Sequence, residues 1–204
     1  LNDWRPDIIH CNDNHCGLIP LLLKVKKMPY KTLLTIHCVS HQRKSPSEFA
    51  TKLGIPLQKL SLTQWESPSK QLNFLLEGIE HADYVNTVSP TYLSEIQTEE
   101  LGDGLDDTVR RNISKTSAIL NGIDYERKNP ETDQGLAKNF TTETAISAKR
   151  KNKARLQKQL RLKERSDVTL IGFVGRMDVR QKGIEILHRM LWREQFDHCQ
   201  FVIM

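Results

Sequence analysis

Residues 170–187 constrain the fold more than any other stretch of this chain. Leu170 to Val174 form a continuous apolar run, Gly175 to Lys182 a polar turn carrying Arg176 and Lys182, and from Gly183 onward Ile184, Leu187 and Leu191 fall on one helical stripe. A continuous apolar strand followed by a turn and an amphipathic helix is the unit of a parallel sheet buried on both faces. Such a unit places the turn and the helix start at the carboxyl end of the strand. There the unpaired N–H groups and the helix dipole favour an anion. Arg176 can fork onto two phosphate oxygens and Lys182 adds a point charge. The residues read as a diphosphate clamp for a nucleotide-type ligand. A solvated surface turn is the other reading of the same pattern.

The rest of the chain repeats the alternation. Strands are expected over residues 7–11, 31–37, 83–89, 116–120, 168–174 and 200–204. Helices are expected over 17–27, 69–81, 90–97 and 182–193, with a short helix after the turn 102–107. Residues 38–68, with Pro46 and Pro56, read as a polar loop, and 125–144 as a linker. Regular alternation argues an α/β architecture with parallel sheets, whose ligands bind beyond the carboxyl strand ends. At those ends stand Asp13 and His15, then His37, Ser89, Asn121 with Asp124, and Arg176 with Lys182. Asp13 also suits a helix N-cap, and Asn121-Gly122 alone is a turn signal.

Charge and cysteine content exclude several classes. The net charge of +5 is concentrated in residues 148–165, which carry nine cations against Glu164 alone, a local +8 that leaves about −3 elsewhere. Leu156 and Leu160 at helical spacing, with Ala148 and Ala154, suggest a helix with a narrow buried stripe and a solvated basic face. No aromatics interleave these cations, so nucleic acid is not an expected partner. No apolar run approaches the ~20 residues of a membrane helix, so no membrane is expected either. Four cysteines without a dense framework suggest reduced thiols and an intracellular protein, and the sequons at Asn112 and Asn139 then carry little weight. Cys11, Cys16, His37 and His41 mimic zinc-ligand pairs, but an apolar helical stretch separates the pairs, so no metal is expected. Both ends are expected to be cuts, since Leu1 is not a start residue and the last strand stops at Met204.

Several motifs together resemble the glycogen and starch synthases. Trp4-Arg5-Pro6-Asp7-Ile8-Ile9-His10 with Asp13 and His15-Cys16-Gly17-Leu18 is similar to that family's W-R-P-D-[IV]-[IV]-H-x-x-D-W-H-x-G-L. Thr35-Ile36-His37, Val88-Ser89-Pro90-Thr91-Tyr92, Gly104-Leu105-Asp106, Leu120-Asn121-Gly122-Ile123-Asp124, Asn129-Pro130-Glu131-Thr132-Asp133 and Arg176 with Gln181-Lys182-Gly183 complete the resemblance. It implies a GT-B fold of two Rossmann-like domains. Residues 1–143 would be the latter part of an acceptor-side domain, and 144–204 the start of a nucleotide-sugar-side domain.

The implied activity is retaining transfer of glucose from ADP-glucose to the non-reducing end of an α-1,4-glucan, in the cytoplasm, or in a plastid if the source is a plant or alga. His37, Asp13 and Asn121 would be the catalytic residues lining the sugar subsite. Arg176, Lys182 and Gly175 would hold the donor diphosphate, and His15 and Gln42 would lie on the sugar or acceptor side. No cofactor or metal is implied. The chain departs from the family at Asn14, where a Trp is usual, and over Cys38-Val39-Ser40-His41-Gln42-Arg43, where the family reads N-L-x-Y-Q-G and only the Gln is kept. Six positions rather than five separate Arg176 from Lys182. The family's N-terminal Gly-rich loop and C-terminal Glu-rich segment are not in the chain, so the chain by itself is expected to be inactive. A related glycosyltransferase with another donor or acceptor, or a non-catalytic glucan- or nucleotide-binding relative, are the alternatives.

Overall fold

A computed structural model of the chain describes residues 4–61, 71–179, 182–192, 196 and 198–204. The expected start of the helix over 69–81 and the expected end of the last helix at 193 lie outside the described residues. The chain divides into two compact units, Leu1–Gly122 and Ile123–Met204. Each is described by itself.

The first unit is built on a parallel sheet of four strands, β1 (Ile8–Asn12), β2 (Lys31–Ile36), β5 (Tyr84–Thr87) and β6 (Thr116–Ala118), in that spatial order. Ile9 pairs with Thr32, Leu34 with Val85 and Val85 with Thr116. The helices are α1 (Ile19–Val25), α2 (Glu48–Lys52), α3 (Phe74–His81), α4 (Pro90–Glu95) and α5 (Asp106–Arg111). Cys11, Leu34, Ile36 and Val85 pack with Leu75 and Ile79 of α3 into a core with almost no exposure. The period-2 alternation of the strands sends those side chains to one face and His10, Asn12, Thr35 and Asn86 to the other.

The expected polar loop after β2 holds more structure than its composition suggests. Lys44–Pro46 (β3) and Gln71–Asn73 (β4) form a short antiparallel pair, and α2 follows β3. The helix expected from residue 69 therefore begins at Phe74. Asn73 ends the strand and caps the helix, its side chain accepting from the Leu76 N–H at 3.2 Å. Leu72 keeps a fully buried side chain, but in a second core with Leu18, Leu21, Ala50, Ile55 and Phe74. Helical spacing at Leu72 arises by coincidence, because a three-residue strand is too short to show its own period. Pro90 starts α4 as expected; Ser89, expected to end the strand, instead caps the helix, its Oγ accepting from the Tyr92 N–H at 3.2 Å.

The second unit contains α6 (Ala145–Gln159), β7 (Thr169–Phe173), α7 (Ile184–Leu191) and β8 (Cys199–Ile203). Strands β7 and β8 are parallel, with Ile171 opposite Phe201. The polar stretch from residue 123 clusters with this unit. A reciprocal clasp explains the association: Lys138 N–H donates to Asn152 Oδ1 at 2.8 Å and Asn152 Nδ2 donates back to the Lys138 carbonyl at 2.9 Å. The stripe expected on α6 is buried at Ala148 but not at its leucines. Leu156 and Leu160 are each 40% exposed, whereas Ala148 and Gln157 are buried. Gln157 turns inward because its amide bridges the Arg165 carbonyl at 3.1 Å and Gln200 Oε1 at 2.7 Å.

Candidate active site

At the carboxyl end of β1 the chain turns sharply. Asp13 adopts φ 52° and ψ −165°, a region that costs a non-glycine residue about 1–3 kcal/mol. Its surroundings over-determine this conformation. The Asp13 N–H donates to the Thr35 carbonyl at 2.9 Å, and one carboxylate oxygen accepts from the His37 N–H at 2.7 Å and the Cys38 N–H at 3.4 Å. A charged acceptor makes the shorter of these bonds stronger than a neutral one. Asp13 therefore ties the turn after β1 to the end of β2. His37 is exposed there, and its ring Nε2 lies 3.0 Å from Asn12 Oδ1.

The stretch that departs from the family pattern is held firmly. Val39 is buried, and its N–H donates to the Tyr92 hydroxyl at 2.8 Å; burial pushes the Tyr92 phenol up, keeping it neutral. Arg43 stands where the pattern has glycine and carries φ 50°, a left-handed conformation that glycine takes without penalty. Its guanidinium lies 5.2 Å from the centre of the Phe74 ring, a cation–π contact. Gln42 is buried. Its amide nitrogen donates to the Asp103 carbonyl at 2.7 Å and its oxygen accepts from Asn73 Nδ2 at 2.6 Å. The Gln42 side chain thus works as a strut between two loops. Asn14 is buried in the short 3-10 turn Asn14–Cys16, with exposed His15 beside it.

Asn121 follows β6 on the same carboxyl edge of the sheet and is exposed. The Ile119 N–H donates to the Thr87 carbonyl at 2.8 Å, carrying this segment along β5. Asp124 closes a local turn by accepting from the Glu126 and Arg127 N–H groups, both at 3.1 Å. In the second unit Arg176 and Lys182 are exposed on the turn between β7 and α7. The Gly175 N–H donates to the Met204 carbonyl at 3.1 Å, and the Lys182 N–H to the Asp178 carbonyl at 3.0 Å. Gly183, at φ 66°, supplies the left-handed step that starts α7. Clefts of about 390 and 470 Å³ flank α6, and neither is lined by Arg176 or Lys182.

The structure thus joins Asp13 to His37, places Asn121 on the same sheet edge, and sets Arg176, Gly175 and Lys182 on one turn. Sequence reasoning did not single out Asn12, whose signal is the alternation that puts it on the face of Thr35. Burial, with the neighbouring Cys16 thiol adding to it, pushes the Cys11 thiol up to about 11, so it is no nucleophile at neutral pH. Among the described residues no group of three or more His, Cys, Asp or Glu side chains is arranged to hold a metal ion, and no helix is long and apolar enough to cross a membrane.

Comparison with known proteins bears on the same residues. The family model of the starch synthase catalytic domain matches residues 1–111. A glycogen synthase of Geotalea daltonii is 39% identical over 208 residues, covering 99% of this chain and 42% of its own length. One of Ligilactobacillus salivarius is 42% identical over 192 residues, covering 89% and 39%. The chain therefore spans about two fifths of the length of these relatives. Among solved structures, the catalytic domain of Starch Synthase IV from Arabidopsis thaliana bound to ADP and acarbose matches with a TM-score of 0.85 at 30% identity, covering 100% of this chain and 43% of that one. The expected α/β fold class, GT-B type, is the one observed. Matched by that family model over residues 1–111 and by these relatives over nearly its whole length, the chain belongs to the starch synthase catalytic domain family.

Proposed function

We propose that the protein carrying this chain is a retaining glucosyltransferase that extends an α-1,4-glucan from ADP-glucose. The observation that carries the reading is the Asp13–His37 tie at the carboxyl end of the parallel sheet, in a chain whose second unit bears Arg176 and Lys182 on a strand–helix turn. The Arabidopsis domain is bound to ADP and acarbose, which supports a nucleoside diphosphate donor and a glucan acceptor. Residues 1–143 then belong to the acceptor side and 144–204 to the donor side, and the protein works in the cytoplasm, or in a plastid of a plant or alga.

Breaking the glycosidic bond of the donor leaves a nucleoside diphosphate, so negative charge grows on the phosphate as the bond stretches. Arg176 and Lys182 stabilise that charge more in the transition state than in the ground state. The sugar carbon becomes oxocarbenium-like, and His37, with Asp13 and Asn121, positions the ring and excludes alternative orientations.

The test is incorporation of labelled glucose into glycogen by the complete protein, offered ADP-glucose or UDP-glucose. Incorporation from ADP-glucose that is lost in Arg176→Ala and His37→Ala supports the reading. A folded protein that binds nucleotide without turnover of either donor overturns it in favour of a binding relative. Transfer from a different donor fits a changed specificity, which the replacement of the family's glycine by Arg43 favours.

A further inference from the structure

Two rows of side-chain hydrogen bonds cross the polar face of the first sheet. In one, His10 Nε2 lies 2.6 Å from Thr35 Oγ1, which donates to Asn86 Oδ1 at 2.5 Å. A hydroxyl has one proton, so Thr35 must accept from His10, and His10 carries its proton on Nε2. In the other row, His37 Nε2 lies 3.0 Å from Asn12 Oδ1. An amide oxygen only accepts. Nε2 of His37 is therefore the protonated nitrogen, and in the neutral ring Nδ1 is the one remaining acceptor. The main chain of the same residue is fixed independently, because Asp13 accepts from its N–H at 2.7 Å. His37 is thus held at two points by consecutive residues, its backbone by Asp13 and its ring by Asn12.

We propose that Asn12 is a positioning residue that sets the tautomer of His37, so that the ring meets a sugar hydroxyl as an acceptor through Nδ1. The inference rests on the reading of His37 as a sugar contact and adds the polarity of that contact. The chemistry it selects is a hydroxyl donor on the transferred hexose. A deoxy sugar at that position leaves Nδ1 unpaired and is discriminated against. A carboxylate oxygen accepts from Nε2–H as the amide oxygen does, and at alkaline pH, where the imidazole is neutral despite the added negative charge, it selects the same tautomer. Asn12→Asp therefore preserves the arrangement, and Asn12→Ala removes it.

The experiment uses the complete protein with ring-15N histidine, read by long-range 1H–15N spectra and assigned through the resonance missing in His37→Gln. The expected spectrum shows Nε2–H and a pyridine-type Nδ1 for His37 in the wild type and in Asn12→Asp, and exchange between tautomers in Asn12→Ala. Alongside, kcat for glucosyl transfer falls about tenfold in Asn12→Ala, the size of one hydrogen bond, with the donor KM less affected, and Asn12→Asp restores it. An Nδ1–H tautomer in the wild type, or an Asn12→Ala spectrum unchanged from wild type, overturns the proposal. If Asn12→Ala does not fold, the wild-type tautomer still decides. A spectrum as expected in a protein that transfers no glucose overturns the functional reading and leaves the positioning role standing.

Discussion

The Asp13 carboxylate and the His37 backbone N–H are joined by a hydrogen bond of 2.7 Å that crosses from the end of one parallel strand to the end of the next. Asp13 holds this contact from a backbone conformation, φ 52°, that an L side chain adopts only under constraint. The two effects separate by substitution. Asp13→Ala removes the acceptor and keeps the strain; Asp13→Gly removes both. Both variants are expected to lose at least a hundredfold in kcat/KM for glucosyl transfer, as groups that orient a reacting centre do. In urea unfolding the Gly variant should be more stable than the Ala variant by about 1 kcal/mol. Equal stabilities would show that the turn relaxes without its carboxylate.

At Arg43 backbone strain and a side-chain contact oppose each other in the same way. Its left-handed backbone is disfavoured by roughly 1 kcal/mol, and its contact with the Phe74 ring returns about 0.5–1 kcal/mol. Arg43→Gly therefore leaves the stability nearly unchanged, whereas Arg43→Ala, still strained and without the cation–π contact, falls below both. Thermal unfolding of the three proteins checks the order. An Ala variant as stable as the wild type would remove the cation–π contact from the account.

The proposed role of the second unit's cations in stabilising the transition state predicts a kinetic split. Arg176→Ala and Lys182→Ala should lower kcat by about 10²–10³ with smaller changes in the donor KM, the signature of charge that develops during the reaction. Arg176→Lys keeps the charge and loses the planar fork, so it should remain well below wild type. A change confined to KM would place both residues in ground-state binding only.

These relationships differ in how visible they are in the amino-acid sequence. The strand before Arg176 is legible as a continuous apolar run, β1, β2 and β5 as short stretches in which apolar and polar residues alternate, and the strand ends because polar residues follow them. His37, Asp13 and the Arg176–Lys182 turn stand out as candidates that way. The β3–β4 pair is not, since three-residue strands have no period to read and their partner lies across a polar loop. The inward turn of Gln157 is invisible for a related reason: glutamine reads as surface until its partners, the Arg165 carbonyl and Gln200, are brought beside it by the fold. Asn12 escapes notice because its partner is a ring nitrogen 25 positions away, and only the strand register brings the two together.

At the other edge of the sheet, Asp83 predicts a pH dependence. Burial alone would raise its pKa, but the Thr32 N–H and hydroxyl, each at 2.9 Å, and the Lys31 ammonium at 3.4 Å outweigh burial and hold the carboxyl below the usual aspartate range. The folded-state pKa is thus below the unfolded value of about 3.9, so the ionised group stabilises the fold above that value and the contribution fades as the proton returns. The stability difference between wild type and Asp83→Asn should be constant above about pH 5 and shrink as pH falls below about 4. A difference independent of pH across this window would mean that the carboxylate charge contributes nothing. Denaturant unfolding at a series of pH values reads it directly.

The closest packing in the first unit predicts the sharpest loss. A Cβ built on Gly17 would lie 2.2 Å from the Phe74 carbonyl oxygen and 2.7 Å from its carbon, and one on Gly78 would lie 2.9 Å from the Gly17 carbonyl oxygen. Both contacts are backbone on backbone, so no side chain can rotate away, and α3 must move off the turn that follows β1. Gly17→Ala should cost about 3 kcal/mol or more, at or beyond the top of the overpacking range, and Gly78→Ala less. Gly17 also follows the Asn14–Cys16 turn directly, so the displacement reaches Asp13 and loosens its hold on His37. The Gly17 variant should therefore lose transfer even at temperatures where circular dichroism shows it folded, while the Gly78 variant retains activity in proportion to the fraction folded. Equal losses of activity and stability in both would mean that the turn and the site are not mechanically linked.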